Sequence, residues 1–383
     1  MKEGWEYKKL GEVAFYPTKR ISSEMVNENN YVGVDNLIKD RGGKVVANFF
    51  PAEGNVIEYL KGDVLLGNIR PYLKKIWLSD TKGGASGDVL IIRANDTKHL
   101  YPNYLYWALA SDQFFEYDTL HCKGAKMPRG NKIDIMKYQL PVPTIEEQQK
   151  VVSELDLLSG VIEKQKAQLE ELDKLAQSIF YDMFGDPVAN EKGWEMKKLG
   201  EECEDMKYGT SRPACENGRY KYLRMGNITL DGHLDLADLK TIDIPEEEVE
   251  KCIVRYGDIL FNRTNSHELI GKTCMFDLDE PMIIAGYIIR VRLSENLKPI
   301  FISIMFNLPS MKKLLRSIAK GAVNQANINS KELASINIII PPLSLQQEFA
   351  AKVEAIEAMK AKDRQSLKEV ETLFNERMDY YFN

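Results

Sequence analysis

Gly4-Trp5-Glu6-Tyr7-Lys8-Lys9-Leu10-Gly11-Glu12 returns as Gly193-Trp194-Glu195-Met196-Lys197-Lys198-Leu199-Gly200-Glu201, identical at eight of nine positions. Average composition gives roughly one chance match in twenty at each position, so the two stretches are copies. The correspondence continues outward from them. Lys61-Gly62-Asp63-Val64-Leu65-Leu66 answers Tyr256-Gly257-Asp258-Ile259-Leu260-Phe261, and Lys123-Gly124-Ala125 answers Lys320-Gly321-Ala322. Leu140-Pro141-Val142-Pro143 leads to Glu147-Gln148 as Ile340-Pro341-Pro342 leads to Gln346-Gln347. Between these anchors the copies diverge almost completely. The period, near 190 residues, is far too long for a solenoid, so each copy is a domain with an appendage.

The appendage reads as a long helix. Val151, Leu155, Leu158, Ile162, Leu169, Leu172, Ala176, Ile179 and Met183 fall in steps of three and four, the seam of a coiled coil. Thr144 with Glu147 forms a start signal, and Gly185-Asp186-Pro187 a stop. The second copy runs through Phe349, Val353, Ile356, Leu367, Val370, Phe374 and Tyr381, weakened where Lys360 and Asp363 occupy seam positions. At about 1.5 Å per residue, helices of this length span about 60 Å. The remainder of each copy mixes short helices, such as 102–109 and 300–307, with β-type runs such as Val89-Leu90-Ile91-Ile92 and Ile336-Asn337-Ile338-Ile339-Ile340. The expected class is α+β, with mixed α/β domains at 1–143 and 187–342 and long helices at 144–186 and 343–383.

Composition narrows the function. Among the 383 residues 44% are hydrophobic and 28% charged, as in core-forming proteins. No apolar run approaches the roughly 20 residues of a membrane helix, and Met1–Glu12 lacks a secretory apolar region. Cys122, Cys203, Cys215, Cys252 and Cys274 show no paired spacing, so reduced thiols in a cytoplasm are expected rather than disulfides or zinc. The net charge of −6 is uneven: residues 1–143 carry 20 Lys+Arg against 17 Asp+Glu, while 144–186 carry 4 against 10. A mildly basic domain permits DNA binding without the strong excess of a non-specific coater.

No catalytic centre is visible. Ser266–Thr273 matches the phosphate-binding pattern GxxxxGK[ST] except for its first glycine, and strand-like Cys274-Met275-Phe276-Asp277 follows where a helix is required. No [ND]PP[YF] motif for amino methylation occurs, and His99, His121, His233 and His267 are scattered. Polar, basic loops are the better candidates, because base edges and phosphates are read by Arg, Lys, Asn, Gln, Ser and Thr. In the first copy these are Lys19, Arg20, Asn68, Arg70, Tyr72, Lys74, Lys123, Lys126 and Arg129; in the second Thr210, Ser211, Arg212, Arg224, Asn227, Arg263, Asn265, Ser266, His267, Lys320, Gln325 and Asn327. Each cluster alone is ordinary loop surface. Their recurrence at matched places with different residues is the pattern of two readers of different half-sites.

The duplicated order W-E-x-K-K-L-G-E, G-D-[VI]-L, K-G-A and Pro-x-x-x-x-Gln resembles the specificity subunit of type I restriction-modification systems. The resemblance implies two target-recognition domains held by an antiparallel pair of long helices, with a pseudo-twofold internal repeat. Each domain would read half of a split DNA target. Two modification subunits would methylate adenine with S-adenosylmethionine, and two restriction subunits would use ATP and magnesium. No cofactor is implied for this chain. The competing expectation is a coiled-coil scaffold with protein-binding ends.

Overall fold

A computed structural model describes residues 4–124, 126–322 and 325–383. Ala125, Val323 and Asn324, which belong to the two Lys-Gly-Ala loops, lie outside the described residues. The chain divides into two compact units: Met1–Gln165 with Ser366–Asn383, and Lys166–Gln365. Each of the two long helices, Ile145–Phe184 and Leu343–Phe382, contributes to both units.

In the first unit the repeated Trp-Glu-x-Lys-Lys stretch forms strand Glu6–Lys9, antiparallel to Gln139–Val142. An antiparallel sheet follows in the order Ala14–Phe15, Val89–Ala94, Val64–Gly67, Ile76–Leu78. The Gly-Asp-[VI]-Leu motif enters its central strand. Gly62 holds φ +89°, a conformation that glycine adopts without steric cost. The buried Asp63 carboxylate accepts the Leu60 amide at 2.7 Å and the Arg93 guanidinium through two 2.7 Å bonds. The second unit repeats this device. Met196–Lys198 pairs with Asn337–Ile339, and the sheet runs Cys203–Tyr208, Ile288–Leu293, Ile259–Asn262, Thr273–Met275. Gly257 again has φ +89°, and Asp258 accepts the Arg255 amide and both arms of Arg292 at 2.9 Å. The duplicated motif is therefore a buried, fully partnered turn. The strand Thr273–Met275 after Gly271-Lys272 agrees with the reading that no phosphate-binding loop is present.

A second small sheet shows where the copies part. In both units a short strand pairs parallel with one neighbour and a third strand pairs antiparallel with the same neighbour. Tyr31–Val32, Gly83–Ala85 and Asn55–Tyr59 form this core in the first unit, and Tyr220–Leu223, Met282–Ile284 and Ile253–Val254 in the second. The fourth strand joins at opposite edges: Arg20–Ser22 beside Asn55–Tyr59, but Lys240–Ile242 beside Tyr220–Leu223.

Within each unit the long-helix segments run antiparallel. Arg377 binds Glu154, and Gln165 donates to Ser366 at 2.9 Å in the first unit. In the second, Gln168 donates to Asp363 at 2.9 Å and Lys360 meets Asp173 at 2.5 Å. Of the seam residues read from the sequence, Leu155, Leu172, Val353 and Ile356 are buried; Leu158, Ile162, Leu169, Ile179, Leu367, Val370 and Phe374 are half-buried. The helix ends enter the domain cores instead. Phe180 and Phe184 pack on Phe301 and Phe349, while Met378, Tyr381 and Phe382 pack with Tyr104 and Leu155. Each such side chain contributes about 1.5–3 kcal/mol by leaving water.

The repeated glutamines fasten the helix starts. Gln148, fully buried, donates to the His99 and Pro143 carbonyls at 2.9 Å and accepts the Tyr101 amide at 2.8 Å. Gln346 repeats all three bonds, to Asn296, Pro341 and Lys298. Thr144 accepts the Glu147 amide at 3.4 Å, one half of the expected capping box.

Candidate nucleic-acid interface

In both units the stretch that follows Lys123-Gly124 or Lys320-Gly321 folds back on that lysine and pairs with the loop that leaves the Gly-Asp-[VI]-Leu strand. The Asn68 carbonyl accepts the Gly130 amide at 3.1 Å, the Arg70 amide donates to Pro128 at 2.8 Å, and Lys123 and Arg129 exchange two 2.9 Å bonds. In the second unit Arg263 carbonyl accepts the Ile328 amide at 2.9 Å. Thr264 and Asn265 pair with Asn327 and Ala326, and Lys320 with Asn327. The backbone register is the same, so Asn68, Ile69 and Arg70 stand where Arg263, Thr264 and Asn265 stand. Sequence-distant candidates are thus joined: 68–70 with 123–130, and 263–265 with 320–327.

Their side chains differ in availability. Arg20, Arg70, Tyr72, Lys123 and Lys126 are exposed in the first unit, as are Ser211, His267 and Gln325 in the second. Arg70 precedes a proline and holds φ +55°, a region that non-glycine residues rarely occupy and that concentrates at functional sites. It lines a cleft of about 680 Å3 with Met127 and the 79%-exposed Phe49. Lys19 is paired with Glu58, Lys74 with Asp112, and Arg129 with Asp88 at 3.4 Å. In the second unit Arg212 grips Glu248, Arg224 meets Asp238 at 2.7 Å, and Lys320 meets Glu332 at 2.6 Å. Arg263 lies over the Tyr208 ring at 4.9 Å and donates to Asn327 at 3.3 Å. Asn265 accepts the amide of the half-exposed Ser266 at 2.9 Å. Three candidates are turned inward. Asn68 and Thr210 are buried, and Asn227 is buried with its amide accepting from Arg224 and donating to Asp235. Asn227 holds the shape of its loop.

Several side chains beside these loops carry no sequence motif. Asp118 is buried with neither oxygen hydrogen-bonded among the described residues, and burial raises its carboxyl to about 6 against a weaker opposing pull from His121. Lys312 is buried beneath Gly271. In the second unit Asp173, His233 and Glu357 present ligand atoms within 4.8 Å of one another. The Lys360 ammonium stands among them, 2.5, 3.1 and 2.7 Å from the three. A cation is already supplied there by the chain.

The type I restriction modification DNA specificity domain matches residues 2–174 and again 191–372. The chain belongs to that family. Both copies of the repeat carry that DNA specificity domain. It is 24% identical to the type I restriction enzyme MjaVIII specificity subunit of Methanocaldococcus jannaschii, over 96% of this chain and 90% of that one. It is 26% identical to the EcoKI specificity subunit of Escherichia coli K12, over 57% of this chain and 50% of that one; the alignment to that relative thus spans half of its length. The fold is that of a chain from a type I R-M system, with TM-score 0.58, 22% identity and coverage of 100% and 98%. The S subunit of the M. genitalium type I system gives TM-score 0.58 at 13% identity, covering 99% and 96%. Among the described residues no helix is long and apolar enough to cross a membrane.

Proposed function

We propose that this chain is the DNA-specificity subunit of a cytoplasmic type I restriction-modification complex. The domains at 1–143 and 187–342 each read one half of a bipartite, asymmetric target. The helices at 144–186 and 343–383 set the spacer and receive two adenine-methyltransferase subunits. Two ATP-dependent translocase/nuclease subunits complete the assembly, and S-adenosylmethionine, ATP and magnesium act in those partners. One observation carries this reading: a common loop-and-hairpin backbone recurs in both units with different side chains, Asn68-Ile69-Arg70 against Arg263-Thr264-Asn265. A shared frame with unlike side chains suits two readers of unlike base sequences.

The test is an exchange of residues 1–143 for the corresponding domain of another family member, followed by mapping of methylated adenines. The expected result is a target altered in one half only. Alteration of both halves, or of neither, refutes independent reading. Duplex binding that is insensitive to salt would refute DNA recognition and favour a protein-binding scaffold.

A further inference from the structure

Among the described residues, three cations of the second unit meet no carboxylate. Lys312, on helix Pro309–Ile318, is 8% exposed and donates only to the Gly271 carbonyl, at 2.7 Å. Lys272, half-buried, donates to the Met225 carbonyl at 3.0 Å. The exposed Arg316 donates to the Glu268 carbonyl at 3.1 Å. A buried ammonium ordinarily keeps a paired anion, and Lys360 in the same unit has two, Asp173 and Glu357. Lys312 has none. Burial first, then the charges of Arg316 and Lys272, push its ammonium down to about 7, with only the Cys274 thiol acting the other way. Burial also lowers Lys272.

The fold therefore gathers positive charge against its own repulsion, in a chain of net charge −6. An arriving anion relieves that repulsion. The location selects the anion. The carbonyls held by these cations belong to the 224–227 and 262–272 loops, which also carry Arg224, Arg263 and His267. We propose that Lys272 and Arg316, backed by Lys312, form a clamp for one DNA phosphate beside the reading loop of the second domain. This clamp rests on the DNA-recognition reading above. It belongs to one half only, because the corresponding helix Asp112–Leu120 of the first unit carries no lysine or arginine.

Phosphate contacts are insensitive to sequence and set the salt dependence of binding, so the target need not be known. Binding of the full chain to a random-sequence duplex is followed by fluorescence anisotropy between roughly 50 and 200 mM salt. The double variant Lys272→Ala/Arg316→Ala should lower the slope of log K against log[salt] by about 0.9, the share of one phosphate. The exposed Lys352→Ala, on the long helix, should leave it unchanged. Lys312→Met should reduce the tightening of binding expected of wild type from pH 8 to pH 6, where Lys312 gains its proton beside Arg316, Lys272 and Cys274 with His267 on the adjoining loop. The slope is independent of the active fraction, so partial misfolding does not imitate the effect. Wild-type binding with an unchanged slope in the double variant, or an equal loss in Lys352→Ala, overturns the clamp. A wild-type chain without salt-dependent duplex binding overturns the DNA reading itself, which is a distinguishable failure.

Discussion

Asp118→Asn is expected to stabilise the first unit at neutral pH and to remove a pH dependence. Among the described residues both Asp118 oxygens are buried without a donor, as is Asn68 Oδ1. A side chain at Gly130 would come 2.6 Å from Asp118 Oδ1 and 2.9 Å from Asn68 Oδ1, so acceptors crowd one point beneath the hairpin. Burial raises the Asp118 carboxyl from 3.8 to about 6. The folded chain thus binds more protons than the unfolded one between about pH 4 and 6. The stability contributed by the protonated carboxyl is full below its ordinary value and is lost as pH rises through about 6. A shift of about two units sets a ceiling near 3 kcal/mol, and solvent relaxation brings the expected gain to about 1–3 kcal/mol. An asparagine there has no charge to bury, and its amide can donate to Asn68 Oδ1. For units of this size about 1 kcal/mol moves a melting transition by roughly 2–4 °C. Calorimetry of the full chain at pH 5 and pH 8 should show the variant's transition raised at pH 8 and raised by only about half as much at pH 5, midway through the window between the two carboxyl values. A variant less stable at pH 8, or equally shifted at both pH values, would refute the reasoning.

Gln148→Ala should cost about 2–4 kcal/mol in denaturant unfolding, since it orphans two carbonyls and an amide; the neighbouring exposed Gln149→Ala should cost under about 0.5 kcal/mol. Lys360→Ala should destabilise the second unit by about 3–5 kcal/mol by leaving its acidic partners uncompensated, and part of that loss should return on adding zinc to Asp173, His233 and Glu357. Wild type should show no zinc-dependent shift in melting, because the ammonium fills the position. Arg70→Ala should weaken specific binding by about 1–3 kcal/mol if it reads guanine, measured as the difference between target and random duplex; equal loss on both assigns it to phosphate. Leu172→Asp should abolish cooperative melting of the helix segments in the second unit, because a charge replaces a buried seam leucine.

The repeat and the helices were legible because their signals are local or periodic. Gly62 and Gly257 announce turns, and the three- and four-residue steps announce a helix seam. The seam's polar middle was legible only as a defect. Lys360 breaks the apolar pattern, yet it is buried because Asp173, Glu357 and His233 surround it, and those partners come from distant sequence. The same limit hid Asp118, Lys312 and Arg316. Their meaning lies in burial and in which charges are missing nearby, and no spacing encodes an absent counter-ion. Asn68, Thr210 and Asn227 show the converse error of composition. A polar residue in a loop reads as a contact, although Asn227 spends its amide on its own backbone.

The anchors shared by the two copies are the groups that satisfy the backbone: Asp63 with Arg93 and Asp258 with Arg292, Gln148 and Gln346, Gly62 and Gly257. Changing one of the aspartates, arginines or glutamines would leave a buried group unpaired, and a side chain at either glycine would be strained at φ +89°, so both copies keep them. The unshared positions lie where the backbone is already satisfied by a strand partner. At the paired position Asn68 and Arg263, the carbonyl takes its bond from Gly130 or Ile328 in either case, and the side chain is released from structural duty. In one unit it is a short buried amide; in the other it is a guanidinium laid over Tyr208 and reaching Asn327. The frame fixes where each side chain starts, and the side chain alone fixes how far it reaches. Divergence can therefore accumulate at these loops without disturbing the fold, which is the physical condition for two domains of one architecture to read two different sequences.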